Sequence, residues 1–157
     1  MALSRFILLL FLCSCMSLSY GQKILIGLVV KIADGDTMTL LDANKKQYRI
    51  RLHGIDCPER KQDFSKQATE HLSSYCFNKN VKVEVLDKDR YGRLIGKVWA
   101  GGVDVGLSLL QHGLAWHYKY FDSSEQYAKA EQQAKRKKIG LWSMKNPTAP
   151  WDFRRKK

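Results

Sequence analysis

The stretch HGIDCPER, His53 to Arg60, places two acids, a cysteine and a proline at the end of a segment that reads as a strand. Upstream, ADGDT adds Asp34 and Asp36, so four carboxylates (Asp34, Asp36, Asp56 and Glu59) fall at the ends of the first three predicted strands. Carboxylates from separate loops, completed by backbone carbonyls, form a partial cage for a hard cation such as Ca²⁺. Taken singly each acid has an ordinary explanation, since Asp-Gly is a common hairpin dipeptide and Asp-x-Pro opens turns. Two arginines add a second kind of chemistry. Arg51 lies five residues before Asp56, and Arg93 follows DRYG at a tight turn. Guanidinium forks bind phosphate bidentately and neutralise charge that develops in a phosphoryl transition state. Arg51 and Arg93 serve that chemistry only if the fold brings them to the acids; otherwise they are surface residues.

Other chemistries fit less well. A nucleophilic Cys57 would need a base and a depressed thiol pKa, and no local motif singles out His53, His71, His112 or His117 as that base. Zinc is disfavoured by the absence of C-x-x-C and H-E-x-x-H, and His112 and His117 straddle Gly113. These histidines read as packing or surface residues.

The elements that must position the acids are short. ILIGLVVKI (24–32) is β-branched and apolar on both faces, as in a curved barrel strand. Asp34-Gly35 reads as a two-residue hairpin, with DTMTLLD (36–42) returning. In KQYRIRLHGID (46–56), Tyr48, Ile50 and Leu52 alternate with Arg49, Arg51 and His53, and Gly54 marks a bend. DFSKQATEHLSSYCF (63–77) has helical apolar spacing; VKVEVLD (81–87) and RLIGKVWA (93–100) read as the fourth and fifth strands. A helix from about Val105 to His112 takes Asp104 as N-cap and Gly113 as its stop. A last helix is expected from about Ser123, with Gln126 completing a capping box, to Gly140 after the cationic run KRKK. Five short strands and about three α-helices make an α+β, OB-type five-stranded barrel the leading architecture.

Five segments now occur together: DGDT (34–37), RLHGIDCPE (51–59), DRYGR (89–93), GLAWHYKY (113–120) and AKRKKIGLW (134–142). In order and spacing they resemble the staphylococcal nuclease, or thermonuclease, family, over roughly Ile24 to Trp142. The resemblance implies an OB-fold, Ca²⁺-dependent phosphodiesterase acting on DNA and RNA and leaving 3′-phosphate ends. It implies that Asp36 and Asp56 are metal carboxylates, that Cys57 offers its backbone carbonyl to the metal, and that Asp34 orients metal-bound water from behind. It further implies Glu59 as general base, Arg51 and Arg93 as the clamp on the scissile phosphate, and Tyr118 and Tyr120 as residues packing against the nucleotide. As plain aromatics, those two tyrosines also fit a core or a surface. The chain departs from the family pattern in a shorter loop between Glu59 and the first helix, and in an added segment after Trp142.

The remaining features bound the setting. MALSRFILLLFLCSCMSLSYGQ has one Arg, an apolar run from Phe6 to about Leu18, and small residues Ser19 and Gly21 before Gln22, the layout of a secretory signal peptide over residues 1–21. The run is shorter than a spanning helix needs, so cleavage is expected rather than stable membrane insertion; lipoprotein processing at Cys15 is a weaker alternative. The protein is thus expected to be secreted or periplasmic, with one nuclease-like domain over 22–144, a basic tail over 145–157, and a monomeric state. Cys57 and Cys76 could pair in an oxidising compartment or remain buried thiols. A net charge of +12 suits a polyanionic partner. It also suits a catalytically silent OB module that only binds polyanions, or a cationic envelope-binding protein. Acids that would repel phosphate favour the enzyme over the binder.

Overall fold

Val29, Met38, Leu40, Ile50 and Val83 have no exposed surface; Met38, Leu40, Ile50 and Val83 come from strands in which inward apolar residues alternate with polar neighbours, and Val29 from a strand apolar on both faces. The computed structural model describes residues 23–156. Along the chain it comprises β1 (Lys23–Ile32), β2 (Thr37–Leu41), β3 (Gln47–Leu52), the two-residue β4 (Ile55–Asp56), α1 (Ser65–Cys76), β5 (Asn80–Lys88) and β6 (Leu94–Ala100). There follow the two-residue β7 (Val103–Asp104), α2 (Val105–Gln111), the two-residue β8 (Trp116–His117), α3 (Glu125–Arg136), a 3₁₀ turn (Gly140–Ser143) and α4 (Pro150–Arg155).

The five longer strands run β3-β2-β1-β5-β6, and a parallel β3–β6 pairing, Ile50 opposite Leu94 and Leu52 opposite Gly96, closes them into a barrel. Bulges between Val29 and Lys31 and between Val85 and Asp87 supply the curvature that closure requires. The expected OB-type α+β architecture is the one observed. The segment 1–21, read as a signal peptide, lies outside the described residues. Among those described, no helix is long and apolar enough to cross a membrane.

Several local expectations are corrected. Among the described residues there are four α-helices where about three were expected, because residues 150–155 of the basic tail form α4, with Pro150 at its first turn. The third strand breaks after Leu52: Gly54 takes φ +73°, and Ile55 and Asp56 turn away to pair with β8 instead. A Cβ on Gly54 would also lie 2.9 Å from the Asp122 Cβ. Asp34-Gly35 is not a two-residue hairpin turn, since β2 begins only at Thr37 and Ala33 N–H donates to the Thr37 carbonyl at 2.9 Å. Asp36 is therefore a loop residue. The N-cap of α3 is Ser124, whose hydroxyl accepts from Tyr127 N–H, one residue later than expected, and the helix ends at Arg136 rather than Gly140. Asp104 caps α2 as expected, accepting from Leu107 N–H at 3.0 Å.

Candidate active site

Asp36 ends the β1–β2 loop and Asp56 ends β4, and both are buried, at 5% and 1% exposure. Backbone bonds hold them at one rim of the barrel. Leu52 N–H donates to the Asp36 carbonyl at 2.9 Å, and Cys57 N–H donates to Asp36 Oδ2 at 2.7 Å. Arg51 lies on the outer face of β3, between the inward Ile50 and Leu52. Its guanidinium bridges the acids, Nη1 ion-paired with Asp36 Oδ1 and Nη2 2.7 Å from Asp56 Oδ1. Buried carboxylates are costly unless paired, and one fork offsets both. Asp34 accepts from Asp36 N–H through Oδ1 at 3.2 Å, so it braces the loop that carries Asp36.

Cys57 is buried beneath that loop. A Cβ on Gly35 would fall 2.9 Å from Cys57 Cβ and 2.7 Å from Ala68 Cβ, so only glycine lets the loop pack this closely against α1. Burial pushes the Cys57 thiol well above its usual pKa, outweighing the opposing pull of Arg51. A nucleophile needs the reverse shift, so the Cys57 sulfur is unsuited to attack; what it gives Asp36 is its backbone N–H. Cys57 and Cys76 are both free; burial raises the Cys76 thiol to about 12.

The donor set fits a hard cation. It offers oxygen from two buried carboxylates whose charge is offset only by guanidiniums. Among the described residues no three His, Cys, Asp or Glu side chains converge as a metal group. A cation here would therefore need backbone carbonyl and water oxygens to complete its shell, which is common for Ca²⁺.

Glu59 lies beyond Pro58 in a short turn fixed by its own N–H donating to Gln62 Oε1 at 2.8 Å. Gln62 Nε2 in turn donates to the Thr148 carbonyl at 2.9 Å, tying this turn to the C-terminal segment. Arg93 precedes β6, next to β3, but is engaged elsewhere: its Nε lies 2.6 Å from Asp89 Oδ2. Burial raises the Asp89 pKa, but the hydrogen bonds from Arg93 and from the Arg93 and Tyr91 backbones prevail and lower it. Arg51 thus meets the acids, whereas Arg93 is held by its own turn.

Pairing of β4 with β8 brings the aromatic segment to the same rim, with Asp56 opposite Trp116 and Tyr118 N–H donating to the Gly54 carbonyl at 2.9 Å. Tyr118 stacks on Trp151, at 5.2 Å and 12° between planes, and Tyr120 is 83% exposed. The histidines have structural partners. His117 Nε2 lies 2.9 Å and His53 Nε2 3.4 Å from the Asp122 carboxylate, and His71 Nε2 lies 2.9 Å from Ser108 Oγ.

Residues 49–144 match the model of the family described as staphylococcal nuclease homologue. An uncharacterized endonuclease of Escherichia coli is 38% identical over 132 residues, 83% of this chain and 86% of that protein. One from Haemophilus influenzae is 39% identical over 127 residues, 81% of this chain and 71% of that protein. The chain belongs to the staphylococcal nuclease family. A staphylococcal-like nuclease of Arabidopsis thaliana is 43% identical over 112 residues, 71% of this chain, which spans about a third (35%) of that plant protein.

The matched span contains Arg51, Asp56, Cys57, Glu59, Arg93, Tyr118 and Tyr120, while Asp34 and Asp36 precede it. One site residue of this staphylococcal nuclease homologue follows the matched span and escaped the sequence reading. Arg154, on α4, lies 2.8 Å through Nη2 from Asp56 Oδ2 and 2.6 Å through Nη1 from Glu59 Oε1. Its bonds to Asp56, more than to Glu59, hold the guanidinium even more firmly charged than usual, against a smaller effect of burial. The available signal was Trp151 and Arg154 three residues apart behind Pro150, one face of a short helix.

Proposed function

We propose that the chain is a Ca²⁺-dependent endonuclease that hydrolyses phosphodiester bonds of DNA and RNA and leaves 3′-phosphate ends. The observation that carries this reading is the meeting of Asp36 and Asp56, from separate elements, on the single guanidinium of Arg51. Three carboxylates in a chain of net charge +12 would repel phosphate unless a cation joins them, so a polyanion-binding module has no use for them.

Asp36, Asp56 and the Cys57 carbonyl would hold the Ca²⁺, and Asp34 would steady its water. When bound, the cation supplies positive charge to a non-bridging phosphate oxygen. The protein's own groups do the rest. Glu59 takes a proton from the attacking water as its oxygen bonds to phosphorus. Arg51 and Arg93 donate to the phosphate oxygens as negative charge grows, Arg93 by turning from Asp89. The P–O5′ bond breaks, the O5′ atom leaves and takes a proton from solvent water, and the phosphate stays on the 3′ carbon. Tyr118 and Tyr120 pack against the nucleotide, and Tyr120 has the exposed surface to do so.

The endonuclease names of the bacterial relatives support this reading. The N-terminal apolar segment supports a secreted or periplasmic protein. Plasmid and single-stranded DNA incubated with Ca²⁺ or with EGTA provide the test. Cleavage is expected with Ca²⁺ alone. Equal cleavage in both would overturn the cation assignment, and none in either would favour the binding module.

A further inference from the structure

α4 reaches the site with two side chains. Trp151 stacks flat on Tyr118 and meets Trp116 edge-on at 5.6 Å and 72°. Three residues later, on the same side of the helix, Arg154 spreads its fork over two carboxylates. Nη2 lies 2.8 Å from Asp56 Oδ2, while Nη1 lies 3.3 Å from Asp56 Oδ1 and 2.6 Å from Glu59 Oε1. Both oxygens of Asp56 are thus engaged by α4, and Oδ1 is shared with Arg51. Glu59, the group proposed to accept a proton, is held by the same guanidinium.

We infer that Arg154 is an intramolecular rival of the divalent cation: it covers Asp56 and Glu59 when no cation is bound, and its displacement sets the Ca²⁺ level at which the site becomes competent. The inference rests on Asp36 and Asp56 being the cation ligands. A dication approaching Asp56 meets lone pairs already occupied by a guanidinium, and the two positive charges then face each other across one carboxylate. One of them must move. Arg51 rises from a barrel strand paired on both sides, opposite Thr37 of β2 and Ile95 of β6, and its side chain is 16% exposed. Arg154 belongs to a six-residue helix and its side chain is 42% exposed, so it is the group that can leave. The bond from Gln62 to the Thr148 carbonyl couples that departure to the turn carrying Glu59.

Calorimetric titration of Ca²⁺ into the wild-type protein, Arg154→Gln, Trp151→Ala and Asp56→Asn, without substrate, tests the inference. Removing a half-exposed rival pair should tighten Ca²⁺ binding about tenfold in Arg154→Gln. Trp151→Ala, which loosens α4 but keeps the guanidinium, should shift the same way by less. Asp56→Asn should abolish binding. Wild-type or weaker affinity in Arg154→Gln, with binding lost in Asp56→Asn, overturns the rivalry alone. Undiminished binding in Asp56→Asn, or no binding by any of the proteins, overturns the cation site and the rivalry with it. If Arg154→Gln fails to fold, Arg154→Lys keeps the charge without the fork and should still bind Ca²⁺ more tightly; unchanged affinity there counts equally against the inference.

Discussion

Arg51 and Asp56, five residues apart, meet at 2.7 Å across the break that Gly54 makes between β3 and β4. The same guanidinium is paired with Asp36, so one buried cation serves two buried anions. With Glu59 and Arg154 included, three carboxylates face two guanidiniums, and the site keeps a net negative charge inside a strongly cationic chain. That imbalance is what a divalent cation would correct.

Arg51→Ala should destabilise the fold by about 3–5 kcal/mol, the cost of stripping one partner from buried ion pairs. Urea denaturation measures it. Because Ca²⁺ would offset the buried carboxylate pair left without its guanidinium, added Ca²⁺ should restore more stability to this variant than it adds to the wild type. An unchanged urea midpoint would show that the bridge contributes nothing.

Glu59→Gln should slow cleavage by about 10²–10⁴-fold, the usual worth of a positioned base. Its partner Arg154 is partly exposed, so the melting temperature should barely move. Turnover at the wild-type rate in a plasmid assay would remove Glu59 from the mechanism.

Arg93→Ala should cost about 10²–10³-fold in turnover, as for loss of one transition-state donor. Asp89 would still accept from the backbone N–H of Tyr91 and of residue 93, so the turn should persist. Circular dichroism and single-turnover cleavage together check this. Equal rates for the variant and wild type would mean that Arg93 belongs to its turn and not to the reaction.

Cys57→Ala keeps the backbone carbonyl and should retain Ca²⁺-dependent cleavage within a few fold, with a stability loss of about 1 kcal/mol from the lost sulfur contacts. A thiol reagent followed by peptide mass mapping should leave Cys57 and Cys76 unmodified in the native protein and label both in guanidinium chloride. Abolished cleavage in Cys57→Ala, or rapid native labelling of Cys57, would reinstate a role for the thiol.

His71 carries a pH signature. Burial, aided by the neighbouring His112 at 4.7 Å between ring centroids, lowers its pKa from 6.5 to about 4. The unfolded chain therefore binds a proton between about pH 6.5 and 4 that the folded chain refuses. Stability must fall as pH drops through that window and level off, for this group, below it. His71→Gln should flatten the decline in urea midpoint across this range. A parallel decline in variant and wild type would assign the effect to other groups.

Much of this was legible in the linear order of residues. Alternation in β2, β3, β5 and β6 marked the strands because half-buried strands repeat with period two, and Gly54 marked the bend that turns Asp56 inward. Asp34-Gly35 misled because the dipeptide fits a tight turn equally well. The glycine is instead required by the close approach of Ala68 and Cys57, a constraint that arises only after packing. The Ser123–Ser124 ambiguity was of the same kind, since adjacent serines offer the same capping oxygen.

By itself the sequence determined the barrel and the family and marked the acids and arginines as candidates, because strand periodicity and motif spacing are properties of neighbours in the chain. Only the tertiary structure decided that Arg93 is held by Asp89, that the Cys57 thiol is sealed under a glycine, and that Arg154 meets Asp56 across 98 residues. The last contact exists because Trp151 anchors a short helix against Tyr118, and no local pattern specifies which surface such a helix will find.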